Sequence, residues 1–335
     1  MTKHSRLDIR LADHCSPPTN RHKLLLGFQF DGGSVKPQHP AVISLQLKPL
    51  NHQQLTEAWW YDGDVSYKQV GAVKLAECSE YTVAVIQTES TDGSEIRSHT
   101  RQAYFELIKA VRSTNHTNMV RMWNYFDEIN SGEGDDEKYR QFSIGRAEAF
   151  QALGVDDEHA PTGTAIGTQG GGLTLIAVAS DHEYCPIENP RQTSAFHYPS
   201  IYGPKSPKFS RGGFVSSESH RLFLISGTAA VVGHESNFHY DTALQTDETI
   251  KNLAYLCDAI SEAKPGTRQF ALDEKSILRV YIKNPEDYIL VSKIISAGLN
   301  VDERNIAYLH GTICRRELMV EVDGVKLEQV DIKPS

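Results

Sequence analysis

The chain has 335 residues, a formal charge of −9 at pH 7 and a hydrophobic fraction of 39%. This length suffices for two domains of ordinary size, and the composition is that of a globular protein. The negative charge argues against a general nucleic-acid binder, because phosphate contacts need a clustered excess of Lys and Arg, whereas a small anion could still bind in a local Arg-lined pocket.

The N-terminal segment, Met1 to Asn20, is polar and charged and lacks the apolar stretch of a secretion signal. The sequence contains no run of 18 apolar residues, so nothing in it indicates a membrane-spanning helix. We therefore expect a cytoplasmic protein without a membrane partner.

The first half of the chain shows a clear order of predicted elements. Thr100 to Arg112 places apolar residues at i, i+3, i+4 and i+7, which predicts a helix opened by a Ser or Thr cap. Met119 to Phe126 predicts a strand, and a polar turn at 130–134 leads into a helix over about 136–151. The nearly all-apolar segment Leu173 to Ala179 predicts a second strand.

The same order returns in the second half. Thr246 is predicted to cap a helix. The matching strand, helix and closing strand are predicted at Ser276–Lys283, Glu286–Ala297 and Leu318–Val322. The lead-in segments also look alike, with Gly-Thr-Ala-Ile at 163–166 and Gly-Thr-Ile-Cys at 311–314.

This repetition predicts an α+β fold of two tandem units, each a mixed sheet covered by helices on one face. We place the first unit at residues 22–185 and the second at 215–335. Residues 186–214 form a Pro- and Gly-rich connector that we expect to contribute to the site.

Two neighbouring segments suggest a ligand site. In the connector, Tyr202 to Gly212 holds two prolines and two glycines that would fix a loop presenting Tyr, Lys and Arg, which suits a carboxylate ligand. An ordered linker with solvated charges has the same composition. The strand Arg221–Ile225 then runs into Ser226–His234, whose small residues would admit a ligand close to the backbone or simply pack a tight sheet.

The segment Cys314 to Val322 is the most suggestive, because Glu321 interrupts an apolar strand. A buried carboxylate there would have a raised pKa, as a general acid near neutral pH requires. The alternative is ordinary alternation with Glu321 facing water. The corresponding strand Leu173–Ala179 carries no carboxylate, so we expect one active site, in the second unit.

Cysteine and histidine spacing speaks against a metal site. The five cysteines are widely spread without a C-x-x-C pair, so we expect free thiols. The histidines lack the i, i+4 or H-x-H spacing of metal ligands, and no P-loop, nucleophile elbow or dinucleotide fingerprint is present.

Several of these segments together resemble known proteins. The second unit, from Ser226 through Thr246 to Glu321, resembles the Rid/YjgF fold, whose clefts bind small carboxylates. A larger set resembles the chorismatases, over most of the chain from about residue 100 onward: residues 121–126, 139–142, 145–147, 202–212, 226–234 and 314–322.

The resemblance implies a reaction and roles for two residues. In chorismatases a glutamate on the last strand protonates the enolpyruvyl methylene of chorismate, and Glu321 occupies that place. A cysteine seven residues earlier, here Cys314, is associated with the branch that forms 3-hydroxybenzoate, which makes that product our expectation. A second, hydrolytic branch of the family forms a dihydroxycyclohexadiene carboxylate and prefers a residue larger than glycine at the position of Ala229 or Ala230. A third branch, which forms both 3- and 4-hydroxybenzoate, also stays open.

Chorismate is a dianion, so the resemblance also implies cationic and small residues that bind it without a metal or organic cofactor. These substrate-binding candidates are Arg146, Tyr202, Arg211, Gly227, Thr228, Ala229 and Arg315. A Rid-type imine deaminase or a catalytically silent ligand sensor would use the same cleft. Monomer and homotrimer both stay open.

Overall fold

The computed structural model describes residues 6–34, 36–89, 95–155, 160–263 and 269–330. The helices are α1 (Ile96–Arg112), α2 (Lys138–Leu153), α3 (Thr242–Ala263) and α4 (Tyr288–Gly298). The strands are β1 (Leu7–Ala12), β2 (His22–Phe30), β3 (Val42–Leu45), β4 (Lys48–Pro49), β5 (Leu55–Asp62), β6 (Ser66–Val70), β7 (Val73–Glu77), β8 (Thr82–Gln87), β9 (Asn118–Asp127), β10 (Thr162–Thr168), β11 (Thr174–Ser180), β12 (Glu183–Ile187), β13 (Gly212–Ser216), β14 (His220–Ala229), β15 (Val231–Val232), β16 (Glu235–Ser236), β17 (Ser276–Ile282), β18 (Ile306–His310), β19 (Thr312–Ile313) and β20 (Val320–Gln329).

Most strands form three sheets. The N-terminal sheet has the order β1-β5-β2-β3. The first large sheet has the order β19-β10-β9-β11-β8-β7-β6, and the second large sheet has the order β12-β13-β14-β20-β17-β18-β4. In each large sheet one internal pair, β9 with β10 or β17 with β18, is parallel, so both sheets are mixed.

The two large sheets repeat one topology. Apart from the β15–β16 pair and the short strand β19 in the second unit, each unit runs through three strands, a helix, a strand, a helix and two further strands. In both large sheets the last of these strands inserts between the third and the fourth. Helices α1 and α2 pack on the first large sheet, while α3 and α4 pack on the second, each pair burying an apolar core against one face. The α+β fold of two tandem units is therefore confirmed.

The allocation of strands differs from the expected limits of the units. The sheet of the first unit starts at β6, whereas β2 belongs to the N-terminal sheet. Strand β12, at Glu183–Ile187, already belongs to the second large sheet. The limits at 22–185, 186–214 and 215–335 remain a prediction.

Three sequence expectations about local structure were wrong. The lead-in segments are not equivalent, because β10 corresponds to β18, while Thr312 and Ile313 cross over and pair with the edge of the first large sheet. Helix α1 begins at Ile96 without a side-chain cap, and Thr100 is buried inside it. Thr246 also lies inside its helix, where its hydroxyl donates to the carbonyl of Thr242, an alternative that Thr can adopt within a helix.

The site lies where the two large sheets pack against each other, at β14 and β10. Strand β14 has an irregular register against β20 between Ile225 and Thr228. At this bulge the Gly163 amide donates to Ser226 Oγ (2.8 Å) and the Gly227 amide donates to Thr164 Oγ1 (3.1 Å), both across to β10 of the first large sheet. A bulge re-aims side chains locally, and this one opens space beside β20. No helix in the described part of the chain is long and apolar enough to cross a membrane.

Candidate active site

A cleft of about 460 Å³ lies at this junction. Its walls come from the start of α2, the connector and strands β14 and β20. A smaller cavity of about 40 Å³ continues inward and shares five lining residues with the cleft, namely Tyr139, Phe209, Gly227, Cys314 and Glu321. The cleft and the inner cavity therefore form one site, and Glu321 stands where they join.

Glu321 is buried on β20, with 4% of its surface exposed, so it does not face water. No hydrogen bond joins its carboxyl group to any other residue that the structure describes. Burial is the main cause that raises the pKa of Glu321 to about 8, and the charge of Asp323 adds to it, whereas Arg121 and Arg211 act in the opposite direction. Glu321 is therefore protonated at neutral pH and can act as an acid.

Arg146 lines the inner cavity. It lies two turns after Tyr139 on α2, so both side chains project from the same face of the helix. Arg146 is 4% exposed, and its Nε and Nη2 atoms have no hydrogen-bond partner among the described residues. Burial of a guanidinium with unpaired donors costs free energy unless an anion accepts hydrogen bonds from them, so this cavity is a candidate anion site.

Arg211 and Arg315 line the outer cleft. Arg211 donates to the Thr193 carbonyl (2.8 Å) and to the Tyr198 hydroxyl (2.6 Å), while its Nε atom has no partner within the described chain. The guanidinium of Arg315 lies 3.9 Å from the centre of the Tyr202 ring, an arrangement that fixes its plane.

Cys314 lies between the cleft and the inner cavity, close to Glu321. Burial raises the pKa of its thiol to about 12, and the neighbouring carboxyl group of Glu321 contributes in the same direction. The thiol is therefore protonated, which does not suit a thiolate nucleophile. All five cysteines are free, as predicted.

The structure brings together eight of the nine candidate residues, Glu321, Cys314, Arg146, Tyr202, Arg211, Gly227, Ala229 and Arg315. Thr228 does not belong with them. Side chains alternate along β14, so Gly227 and Ala229 face the cleft while the Thr228 hydroxyl donates to the Ser226 carbonyl. Among the described residues, no group of three or more His, Cys, Asp or Glu side chains could hold a metal ion.

Comparison with known proteins identifies the family. Residues 57–179 match the family model described as Chorismatase FkbO/Hyg5-like, N-terminal. A chorismatase from Streptomyces rapamycinicus is 33% identical over 279 residues, which cover 82% of this chain and 82% of the relative. The chain therefore belongs to the chorismatase family.

Two further comparisons, with a curated relative and with a chorismatase crystal structure, agree with this membership, and the protein is an enzyme of the chorismatase type. A 3-hydroxybenzoate synthase from Streptomyces hygroscopicus is 30% identical over 280 residues, which cover 82% of each chain. A chorismatase crystal structure aligns with 97% of this chain and 100% of its own, with 27% identity and a TM-score of 0.87. A Rid-family protein from Yersinia pestis aligns with 43% of this chain and 98% of its own, with 16% identity and a TM-score of 0.31.

Sequence reasoning missed three residues of this chorismatase-family site. Tyr139 lines both cavities, and burial raises its pKa, so it is a neutral phenol. Its spacing of seven residues from Arg146 was the available signal. Asp323 and Thr164 lie behind Glu321 and hydrogen-bond each other at 2.7 Å. Asp323 could have been noticed because it lies two residues after Glu321 and therefore shares its face of the strand.

Proposed function

We propose that this enzyme removes pyruvate from chorismate, with Glu321 as the general acid and 3-hydroxybenzoate as the main product. The observation that carries the proposal is the buried carboxyl group of Glu321, whose pKa is raised to about 8, between an outer cleft and an inner cavity that each contain an arginine. A protonated acid between two cationic sites suits a dianionic substrate that must be protonated on carbon.

Binding of chorismate then uses both cavities. One carboxylate meets the unpaired Nε and Nη2 donors of Arg146 in the inner cavity. The other meets the outer wall, where Arg211 has a free Nε and Arg315 is held against Tyr202. The apolar side chains of Ala229 and Phe209 line the space between and limit the access of water.

The enzyme has to supply only proton transfer, because the substrate itself provides the attacking oxygen. Glu321 gives its proton to the methylene carbon of the enolpyruvyl group, which becomes an oxocarbenium ion. The substrate's 4-hydroxyl oxygen then bonds to C3 as the bond from C3 to the side-chain oxygen breaks, releasing pyruvate. The proton of that hydroxyl returns to Glu321, and the resulting oxirane isomerises to the aromatic ring. One chorismate gives one 3-hydroxybenzoate and one pyruvate, with no net uptake of water.

The choice of product rests on Cys314. A thiol protonated at neutral pH stands beside Glu321, where it keeps a water molecule away from the oxocarbenium ion. The relative named 3-hydroxybenzoate synthase supports the same branch. Ala229, which lines the cleft while Ala230 does not, is the feature that favours hydrolysis to the dihydroxycyclohexadiene carboxylate.

The test is incubation of the purified enzyme with chorismate, with pyruvate measured by a coupled assay and the aromatic products separated by chromatography. We expect equal amounts of pyruvate and 3-hydroxybenzoate. Pyruvate with the diol alone would assign the hydrolytic branch. Absence of pyruvate would overturn the proposal, and ammonia released from imine substrates would indicate a deaminase instead.

A further inference from the structure

A chain of four buried charges lies behind the proposed acid. Arg279 Nη2 pairs with Glu57 Oε1 at 2.7 Å, and Arg279 Nη1 pairs with Asp323 Oδ1 at 3.1 Å. Asp323 Oδ2 also pairs with Arg121 Nη2 at 2.8 Å. The four side chains are at most 1% exposed, and their formal charges sum to zero.

This charge network joins all three sheets. Glu57 lies on β5 of the N-terminal sheet, Arg121 on β9 of the first large sheet, and Arg279 and Asp323 on β17 and β20 of the second. Neutral donors hold the carboxylates in place, since the Trp59 indole donates to Glu57 (2.8 Å) and the Tyr281 hydroxyl donates to Asp323 (3.2 Å).

Contacts connect the network to Glu321. Asp323 shares the face of β20 with Glu321 and opposes its ionisation. Thr164 Oγ1 donates to Asp323 (2.7 Å) and accepts the Gly227 amide (3.1 Å), so the network also fixes the bulge that borders Glu321.

The charged and titratable groups that face Glu321 come from several elements. They are Asp323 on its own strand, Arg121 on β9, Arg211 from the connector, Tyr139 on α2 and Cys314 after β19. Asp323 opposes ionisation of Glu321, whereas the two arginines favour it. The protonation state of Glu321 therefore depends on whether Asp323 and Glu57 fully neutralise Arg121 and Arg279, the two arginines of the network.

We propose that Glu57 is a positioning residue that acts through Arg279 and Asp323 to keep Glu321 protonated at neutral pH. The inference rests on the proposed role of Glu321. Without the carboxylate of Glu57, the network carries a net charge of +1, which stabilises the ionised form of Glu321. Through Glu57, the N-terminal sheet thereby helps to keep Glu321 protonated, although it does not line the cleft.

The test compares Glu57→Gln with wild type over pH 6 to 10. We expect the alkaline limb, the fall of kcat/KM at high pH, to be centred about one pH unit lower than in wild type. A unit charge at roughly 10 Å has an effect of this size at an effective dielectric constant of about 20. The KM at pH 6 should stay unchanged. Asp323→Asn, which removes a charge nearer to Glu321, should shift the limb further in the same direction, and it serves as the test if Glu57→Gln does not fold.

The matched control is Glu248→Gln. Glu248 is also buried and pairs with an arginine, Arg191, at 2.5 Å, but it lies on α3 outside the network. The control should keep the wild-type limb even if it lowers stability. An unshifted limb in the folded Glu57 and Asp323 variants, or an equal shift in the control, would overturn the inference.

A second readout does not need turnover. The infrared carbonyl band of protonated Glu321, assigned by its loss in Glu321→Gln, should titrate at a lower pH in Glu57→Gln than in wild type. If chorismate is not converted but this titration shifts, the proposed function fails and the inference stands. If conversion occurs and the titration does not shift, the inference fails alone.

Discussion

The side chain of Glu321 occupies space that exists because residue 227 is glycine. A Cβ atom placed on Gly227 would overlap the carboxyl oxygen Oε1 of Glu321. The amide of Gly227 also donates to Thr164 on the first large sheet. Because this hydrogen bond holds β14 in place, a shift of the β14 backbone alone would not relieve the overlap.

Gly227→Ala should therefore displace the Glu321 carboxyl group and lower chorismate turnover by at least about tenfold, a change of about 1.4 kcal/mol in barrier. The fold should persist, because alanine is well tolerated in a strand. Gly212→Ala on β13 is the control, since an added Cβ there meets mainly the Leu256 side chain. Equal turnover in both variants would contradict this prediction, which steady-state pyruvate release measures.

Glu321→Gln should keep the fold and substrate binding but lose most turnover, because an amide of nearly the same shape cannot deliver a proton to carbon. Loss of a positioned general acid costs about 10²–10⁴-fold in rate. The rate of pyruvate release and calorimetric binding of chorismate measure the two properties separately. A variant with more than a third of wild-type turnover would remove Glu321 from the mechanism.

The pH dependence follows from the same carboxyl group. Its pKa is raised to about 8, so the protonated, active form predominates below pH 8 and is lost as the pH rises through that value. We expect kcat/KM to be flat near pH 6 to 7 and to fall above pH 8. A decline centred near pH 5, the ordinary range of a carboxyl group, would contradict the raised pKa of Glu321, and a kcat/KM that does not fall up to pH 10 would contradict its role as the acid.

Arg146→Ala or Arg315→Ala should mainly raise the KM for chorismate. Truncating the partner of a buried carboxylate costs roughly 2–5 kcal/mol. Arg140→Ala is a suitable control, because Arg140 lines the cleft but already pairs with Asp135 at 3.2 Å and Glu137 at 3.4 Å. Unchanged Michaelis constants in both test variants would mean that the anion sites lie elsewhere.

Cys314→Ala should change the product rather than the rate. A smaller residue beside Glu321 admits water to the oxocarbenium ion, so the product should move from 3-hydroxybenzoate toward the cyclohexadiene diol. Chorismate consumption should stay within roughly tenfold of wild type, about 1.4 kcal/mol in barrier. Chromatography of the products gives the ratio. An unchanged ratio would show that Cys314 does not set the branch, and an inactive enzyme would point to a nucleophile.

The sequence by itself determined the repeated α+β order and made Glu321 a candidate acid. Periodicity is a local property, so the strands at Met119–Phe126 and Ser276–Lys283 and the helices that follow them could be found from residue types alone. The apolar neighbours of Glu321 left two alternatives open, a buried carboxylate or one that faces water, and the structure places the carboxylate in the interior with 4% of the residue exposed.

Only the tertiary structure decided what surrounds that carboxylate. Glu57 and Asp323 are 266 positions apart in the sequence, yet both pair with Arg279, and no local pattern predicts a contact over that separation. The exclusion of Thr228 from the cleft depends on the register at the β14 bulge, because a shift of one residue reverses which side chains face the site. Local residue types specify strands and helices, whereas the packing of three sheets against one another specifies the charge balance around the acid.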